Sequence, residues 1–226
     1  MEMSFGNFLR KPSTVYACHV SLFAALAVLT NTVGIKLFFW NGLTLPVSVF
    51  LLPITFLLTD IVSEVYGENH AFLMVMMGFF VNLIMLGFIL IGVNLPASPL
   101  YAVAQAYDQV FQPAWRLFFA SMCAYLFAQA LDVRLFHFWK KKTKGKHLWL
   151  RNNGSTIVSQ LVDSFTVNVI FLYHNPSVFQ GDFLDIMNVT LHVYVVKLAL
   201  AVLDTPFCYL GVWSVRRLIH EKSAEV

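Results

Sequence analysis

Charged residues are scarce in this sequence: Asp, Glu, Lys and Arg make up 12% of the 226 residues, whereas hydrophobic residues make up 58%. Soluble domains average about 25% charged residues, so the composition indicates an all-α polytopic membrane protein. The net charge of +3 is small, and we assign it to topology rather than to a nucleic-acid-binding surface, so no nucleic acid partner is expected. The length fits about six spans with short loops, which predicts one integral membrane domain over residues 1–226.

Motifs for catalysis and for metal binding are also missing. The three cysteines, Cys18, Cys123 and Cys208, lie in apolar segments without CxxC spacing, which argues against a disulfide framework or a metal site. The seven histidines have no ligand spacing, and no GxSxG, HExxH or Walker sequence occurs. The chain is therefore predicted not to be an enzyme and to use no metal and no cofactor.

Long apolar runs predict six membrane-spanning helices in contact with the lipid bilayer. Their expected bounds are about 15–38, 43–65, 71–93, 114–136, 154–173 and 189–212. A short turn, FWNG, separates the first two spans, and Pro46 and Pro53 predict a kink in the second. The longer loop at 94–113 is predicted to be partly re-entrant or interfacial.

Most basic residues fall in three segments that an even number of spans places on one side of the membrane. They are Arg10 and Lys11, the five lysines from Lys140 to Lys146 with Arg151, and Arg216, Arg217 and Lys222. Cytoplasmic loops attract Lys and Arg. The sequence therefore predicts that both termini are cytoplasmic, with the N-terminal segment a retained helix rather than a signal peptide.

Seven ionisable residues lie inside or at the edges of the predicted spans: Lys36, Asp60, Glu64, Asp132, Asp163, Lys197 and Asp204. Each would cost about 2.5–3.5 kcal/mol at a helix centre, so we expect them to face a shared cavity and to pair there. At the helical rise per residue, Asp163 and Lys197 both come near the midplane of the membrane. An ion pair between these two residues is the contact that we expect first.

Helical spacing aligns the polar residues into stripes. Residues three, four or seven positions apart share a helix face, and four of the predicted helices present such a stripe, which predicts a central polar site. The candidate substrate-binding residues are Asn31, Asp60, Glu64, Gln129, Asp132, Ser159, Gln160, Asp163, Asn168 and Lys197.

Structural interpretations of several polar residues stay open at this stage. Ser159 and Ser164 could serve helix packing alone, and Glu64 could be a solvated helix end. Asp204 could act only as a counter-charge for Lys197.

A lining of carboxylates and amides suits a neutral or cationic ligand with several hydrogen-bond donors. A guanine-like base is one fit, because a carboxylate can accept two parallel donors from N1–H and the exocyclic amine. Other polar solutes would fit as well.

Three segments carry a resemblance to a known family: LTDIVSEVYG from Leu58, AQALDVRLF from Ala128 and NNGSTIVSQLVDSFTVNVIF from Asn152. Together with the Asn31/Lys36 and Lys197/Pro206 pairs, in this order, the sequence resembles the queuosine precursor transporter family, also called the YhhQ or VUT family. The sequence departs from the family after the first motif, where YGENHAF lacks the basic residues that members often carry.

The resemblance implies an inner-membrane importer of 7-deazaguanine bases (preQ0, preQ1 or queuine) for queuosine modification of tRNA. It also implies a six-helix bundle similar to the S-components of ECF transporters. In this hypothesis Asp163 and Gln160, with Asp60 and Asp132 opposite, bind the donor edge of the base, and Lys197 neutralises the empty site.

Two other functions remain open on the sequence alone. One is an S-component-like binding subunit that needs a separate energising module, and the other is a structural membrane protein whose polar stripes only hold helices together. A homodimer and proton coupling are both compatible with the sequence.

Overall fold

The structure is a computed structural model that describes residues 11–40, 43–112, 114–173 and 181–220, most of them helical. The helices are α1 (Pro12–Val33), α2 (Leu52–Val65), α3 (Glu68–Asn94), α4 (Ala104–Phe111), α5 (Ala114–Lys142), α6 (Leu148–Leu172) and α7 (Phe183–His220). Within the described residues, six segments are long and apolar enough to cross a membrane: Pro12–Val33, Val47–Val65, Glu68–Asn94, Ala104–Lys142, Leu148–Leu172 and Phe183–Ile219. The predicted all-α polytopic class is confirmed.

Between α1 and α2 the chain forms two short strands, where the sequence predicted helix on both sides of a turn. Strands β1 (Leu37–Trp40) and β2 (Leu43–Pro46) pair antiparallel, with Phe38 opposite Leu45. We call them the hairpin. The prediction that the first span reaches residue 38 and that the second begins at 43 was wrong; two residues of the predicted turn, Asn41 and Gly42, lie outside the described residues.

The residue types explain this difference. The aromatic residues of β1 and Thr44 of β2 are residue types that favour extended backbone, and the pairing satisfies backbone polar groups that the membrane interior cannot. Pro46 has no N–H to extend the ladder, and the N–H of Val47 closes the hairpin by donating to the carbonyl of Lys36 at 2.9 Å. A 3₁₀ turn at Val47–Phe50 then leads into α2.

Two further expectations for this region need correction. Lys36 lies after the end of α1 and is exposed, so it does not face a shared interior cavity. Pro53 lies in the first turn of α2, where its missing N–H would have no helical partner, and it does not kink the middle of a helix.

The remaining spans match the sequence in number and place but are longer than predicted. Helix α5 continues beyond residue 136 to Lys142, and its last turn holds three lysines, which favourably face the negative end of the helix dipole. Helix α7 begins before residue 189 and reaches His220. The predicted loop at 94–113 contains the short helix α4.

The spanning helices pack in a ring in the order α1, α3, α5, α6, α7 and α2, with the longest contact between α5 and α6. Helix α2 also contacts α3 and α5, so it sits inside the bundle more than at its edge. The span that contains α2 is 61% buried, whereas the other five are 17–35% buried. The polar face of α2 is therefore surrounded by protein rather than lipid.

The two ends of the bundle differ in composition. At one end, which we call the basic end, α1 begins, α7 ends and the Lys140–Lys146 turn joins α5 to α6. The opposite end carries the hairpin. The half of the bundle next to the basic end (the basic half) is filled by two apolar clusters, around Phe136 with Val212 and around Phe23 with Val62. The half next to the hairpin (the hairpin half) contains the main cavity.

Candidate functional site

A cavity of about 710 Å³ occupies the hairpin half, and we call it the large cavity. It is walled by α1, the hairpin, α2, α3, α5, α6 and α7. Five of the ten predicted site residues line it: Asn31, Gln129, Asp163, Asn168 and Lys197. Its volume lies within the roughly 300–1,000 Å³ that is typical of pockets for small molecules.

An ion pair links two walls of the large cavity. The Lys197 ammonium on α7 lies 2.5 Å from Oδ2 of Asp163 on α6, and both side chains are largely buried. The contact predicted from their depths in the spans is therefore confirmed. Each charge compensates the other within the membrane interior, where an unpaired charge would be costly.

Amide side chains surround this pair. Asn31 Nδ2 donates to Asn82 Oδ1 at 2.6 Å, which joins α1 to α3. Asn168 Nδ2 donates to Thr190 Oγ1 at 3.0 Å, which joins α6 to α7. Gln129 Oε1 is buried and has no hydrogen-bond partner among the described residues. The cavity thus contains an acceptor that is desolvated yet uncommitted.

Hydroxyl groups and aromatic rings complete the lining. Thr30 Oγ1 and Ser164 Oγ are buried without a hydrogen-bond partner within the described part of the chain. Tyr125 donates its hydroxyl to the carbonyl of Val75 at 2.7 Å and lines the cavity, as do Phe56 and Phe171. A planar ring with polar edges would meet both apolar faces and hydrogen-bonding groups here.

A second, much smaller cavity of about 20 Å³ lies between α2, α6 and α7. Its polar lining comprises Asp60, Asn152, Thr156, Gln160, Lys197 and Asp204. A space of this size holds about one water molecule. Two predicted site residues, Asp60 and Gln160, therefore face a small compartment instead of the large cavity, and Lys197 borders both.

Asp132 and Ser159 lie in neither cavity lining and contact each other. Ser159 Oγ donates to Asp132 Oδ1 at 2.8 Å, and both residues are fully buried between α5 and α6. The second oxygen, Oδ2 of Asp132, has no hydrogen-bond partner among the described residues.

Glu64 lines neither cavity and lies in a cluster of cations at the basic end. Its carboxylate lies 2.7 Å from Arg151, 3.0 Å from Lys140 and 2.6 Å from Arg216. Arg151 is 2% exposed and also donates to the carbonyl of Gly145. The cluster joins α2, α5, α6 and α7, so the geometry assigns Glu64 a part in holding helix ends together.

Sequence reasoning missed Asn82 as a lining residue, because it belongs to no polar stripe along its helix. Asn82 is 2% exposed, lines the large cavity and also donates to the carbonyl of Gly78 at 2.9 Å. A single strongly polar residue in an otherwise apolar span was the available signal. Other lining residues, such as Tyr125 and His192, have no such signal in the sequence.

Known proteins provide an independent comparison. Residues 46–211 match the model of a family described as "Putative vitamin uptake transporter". The chain is 32% identical over 174 residues to a "Probable queuosine precursor transporter" of Bacillus subtilis (strain 168), an alignment that covers 74% of this chain and 72% of that protein. No solved structure matches the chain. The expected likeness to S-components stays a prediction.

Proposed function

The chain belongs to the vitamin uptake transporter family, and we propose that its cargo is a queuosine precursor, a 7-deazaguanine base (preQ0, preQ1 or queuine) used for queuosine modification of tRNA. The protein is a multi-pass membrane transporter. The observation that carries the choice of cargo is the large cavity, whose walls bring a carboxylate, uncommitted amide and hydroxyl oxygens and aromatic rings together.

The donor edge of a deazaguanine suits the polar groups of this cavity. Its N1–H and exocyclic amine present two parallel donors, which the Asp163 carboxylate can accept together. Gln129 and Asn168 provide amide groups on the neighbouring walls. The rings of Tyr125 and Phe56 offer flat apolar surface against which the heterocycle can stack.

Lys197 supplies the partner of Asp163 when the site is empty. While no ligand is present, its ammonium satisfies Asp163. A base that takes over the Asp163 oxygens must displace this contact, and Lys197 can then turn toward the small cavity that it also lines. In this mechanism the carboxylate never faces the membrane interior without a partner, whether the transporter is empty or loaded.

The basic end supports a bacterial inner-membrane orientation with both termini in the cytoplasm. Lys140, Lys141, Lys142, Lys144, Lys146, Arg151, Arg216 and Arg217 lie at this end within the described residues. Positive charge accumulates on the cytoplasmic side of membrane proteins. With that orientation the large cavity lies in the outer half of the membrane, where it can receive a base from outside.

Uptake in cells that cannot synthesise the base tests this proposal, with queuosine in tRNA as the readout. We expect the wild type and Asp108→Asn, a matched carboxylate change outside the cavity, to restore queuosine when one of the three bases is supplied. The double variant Asp163→Asn/Lys197→Gln removes the pair without leaving a lone charge, and we expect it to restore none. Failure of the wild type with all three bases would contradict the proposed cargo.

Purified protein in proteoliposomes separates a self-sufficient importer from a binding subunit. We expect accumulation of the labelled base without any added ATPase. Binding without uptake would instead favour a subunit that depends on a separate energising module.

A further inference from the structure

The small cavity contains acidic groups that the proposed cargo site does not use. Asp60 is 2% exposed, and its Oδ1 has no hydrogen-bond partner among the described residues. Gln160, 3% exposed, lines the same cavity, and its Oε1 is likewise without a partner in that part of the chain. Both residues thus line a space that has room for about one water molecule, and each has a buried oxygen without a hydrogen-bond partner among the described residues.

The charges around Asp60 do not balance its carboxylate. Helix α5 contributes Asp132, and α7 contributes Asp204, Cys208 and Lys197, with Arg151 on α6 and Glu64 one turn along α2. Arg151 is bound to Glu64, and Lys197 is bound to Asp163. Both nearby cations therefore already have a carboxylate partner, while Asp60, Asp132 and Asp204 form no salt bridge with another described residue.

An ionised carboxylate that is buried without a counter-ion is strongly disfavoured, and such a group becomes neutral by binding a proton. A metal ion is a poorer match for this space, since the described residues contain no group of three or more His, Cys, Asp or Glu that could hold one. The Lys197 ammonium at its wall would also repel a second cation.

We propose that Asp60 in the small cavity is a proton-binding site, and that its proton is exchanged for the Lys197 ammonium when a ligand takes over Asp163. In the empty protein, Lys197 pairs with Asp163 and Asp60 is a neutral carboxylic acid. When the base occupies Asp163, the ammonium turns to Asp60, whose O–H bond breaks and whose proton passes to water. The total charge in the membrane interior changes only by the proton that leaves.

In this exchange, binding of the cargo weakens binding of the proton, and binding of the proton weakens binding of the cargo. Lys197 couples the two, because it leaves Asp163 for the cargo and displaces the proton from Asp60. By linkage, a ligand whose binding releases one proton binds about tenfold more tightly for each unit by which the pH rises, until the proton is already absent in the free protein. The exchange rests on the proposed function, because it needs a ligand at Asp163. The proton site itself does not.

The first test needs no cargo. Infrared difference spectra of the full-length protein in lipid nanodiscs are recorded over a pH titration from about 5 to 9, to follow the carbonyl stretch of carboxylic acids. We expect a band in the wild type that persists in Asp108→Asn, disappears in Asp60→Asn and shifts in Asp60→Glu. The Glu variant keeps the test decisive if the Asn variant does not fold. Absence of any band that depends on residue 60 would overturn the proton site.

The second test measures the exchange by calorimetry, with preQ0, preQ1 and queuine each titrated in buffers of different ionisation enthalpy. We expect about one proton to be released per bound base in the wild type, and none in Asp60→Asn. Lys197→Gln should keep the infrared band that Asp60→Asn loses. Binding without proton release would overturn the exchange. Should none of the three bases bind, the proposed cargo fails while the infrared result still decides the proton site.

Discussion

In the basic half of the bundle one carboxylate, Glu64, is held by three cations, whereas in the hairpin half Asp163 has a single cationic partner, Lys197. The Glu64 cluster ties four helices together at their ends. The Asp163–Lys197 pair joins only two helices, and Lys197 lines both the small and the large cavity. A ligand could replace the second arrangement at a single contact, while the first would have to lose several at once.

Apolar packing is also denser in the basic half than in the hairpin half. Two clusters of buried side chains fill the basic half, with Phe23, Val62, Met74 and Phe136 completely enclosed. In the hairpin half the corresponding space is the large cavity, and the backbone there changes from helix to strand to 3₁₀ turn within a short stretch. The comparison indicates that the basic half is rigid and that the hairpin half can adapt to a ligand. A transporter needs both properties.

Breaking the Asp163–Lys197 pair should give the largest effect. Removing one partner leaves the other charge buried and unpaired, so Asp163→Asn or Lys197→Gln alone should lower the free energy of unfolding by about 3–5 kcal/mol. The double variant removes both charges and should recover most of that loss without recovering uptake. Thermal unfolding in detergent and uptake measured on the same samples check this. Recovery of both properties would show that the pair only holds helices together.

Loss of the Glu64 carboxylate should be the next largest effect. Glu64→Gln leaves three cations together, and because Lys140 and Arg216 are partly solvated, we expect a loss of about 2–4 kcal/mol rather than the full effect of a buried pair. Ligand affinity should stay close to that of the wild type, since the cluster lies away from the large cavity. Glu68→Gln, on the first turn of α3, is the matched control. A large fall in affinity at normal stability would place Glu64 back among the binding residues.

The sequence predicted the spans and the central ion pair because both follow from local composition and helical rise. It also predicted Asn31, Gln129 and Asn168, which do line the large cavity, although their role toward a substrate stays a prediction. The hairpin was not predicted, because a run such as LFFW is apolar enough for a span and strand pairing depends on a partner segment.

The division of the polar residues between two cavities could not be predicted either. Helix spacing assigns Gln160 and Asp163 to one face, yet the structure turns Gln160 toward α2 and Asp163 toward the larger space. Which of two neighbouring compartments a side chain enters depends on how three helices cross. That information is absent from the periodicity of any single helix.

The boundary between the two halves can be tested at Gly78 on α3. A methyl group there would meet the Tyr125 hydroxyl at 2.5 Å and the Phe23 ring at 2.7 Å, so Gly78→Ala should destabilise the protein by about 1–3 kcal/mol through overpacking. Gly87, on the same helix, has nothing within 4 Å of such a group. Gly87→Ala should therefore be close to neutral. Equal effects of the two changes in thermal unfolding would contradict the close packing.

The smallest effect is expected at Asn82, where the apolar helix α3 meets the large cavity. Asn82→Ala removes the bond from Asn31 and leaves that amide without its partner, which should lower stability by about 0.5–2 kcal/mol. Asn94→Ala is the matched control, because Asn94 is exposed and its amide bonds only to its own helix, at the carbonyl of Leu90. If Asn82 only stabilises the bundle, the affinity for the base will not change. We expect instead a several-fold weaker binding, because Asn31 can then turn into the cavity and compete for the acceptors that the cargo needs.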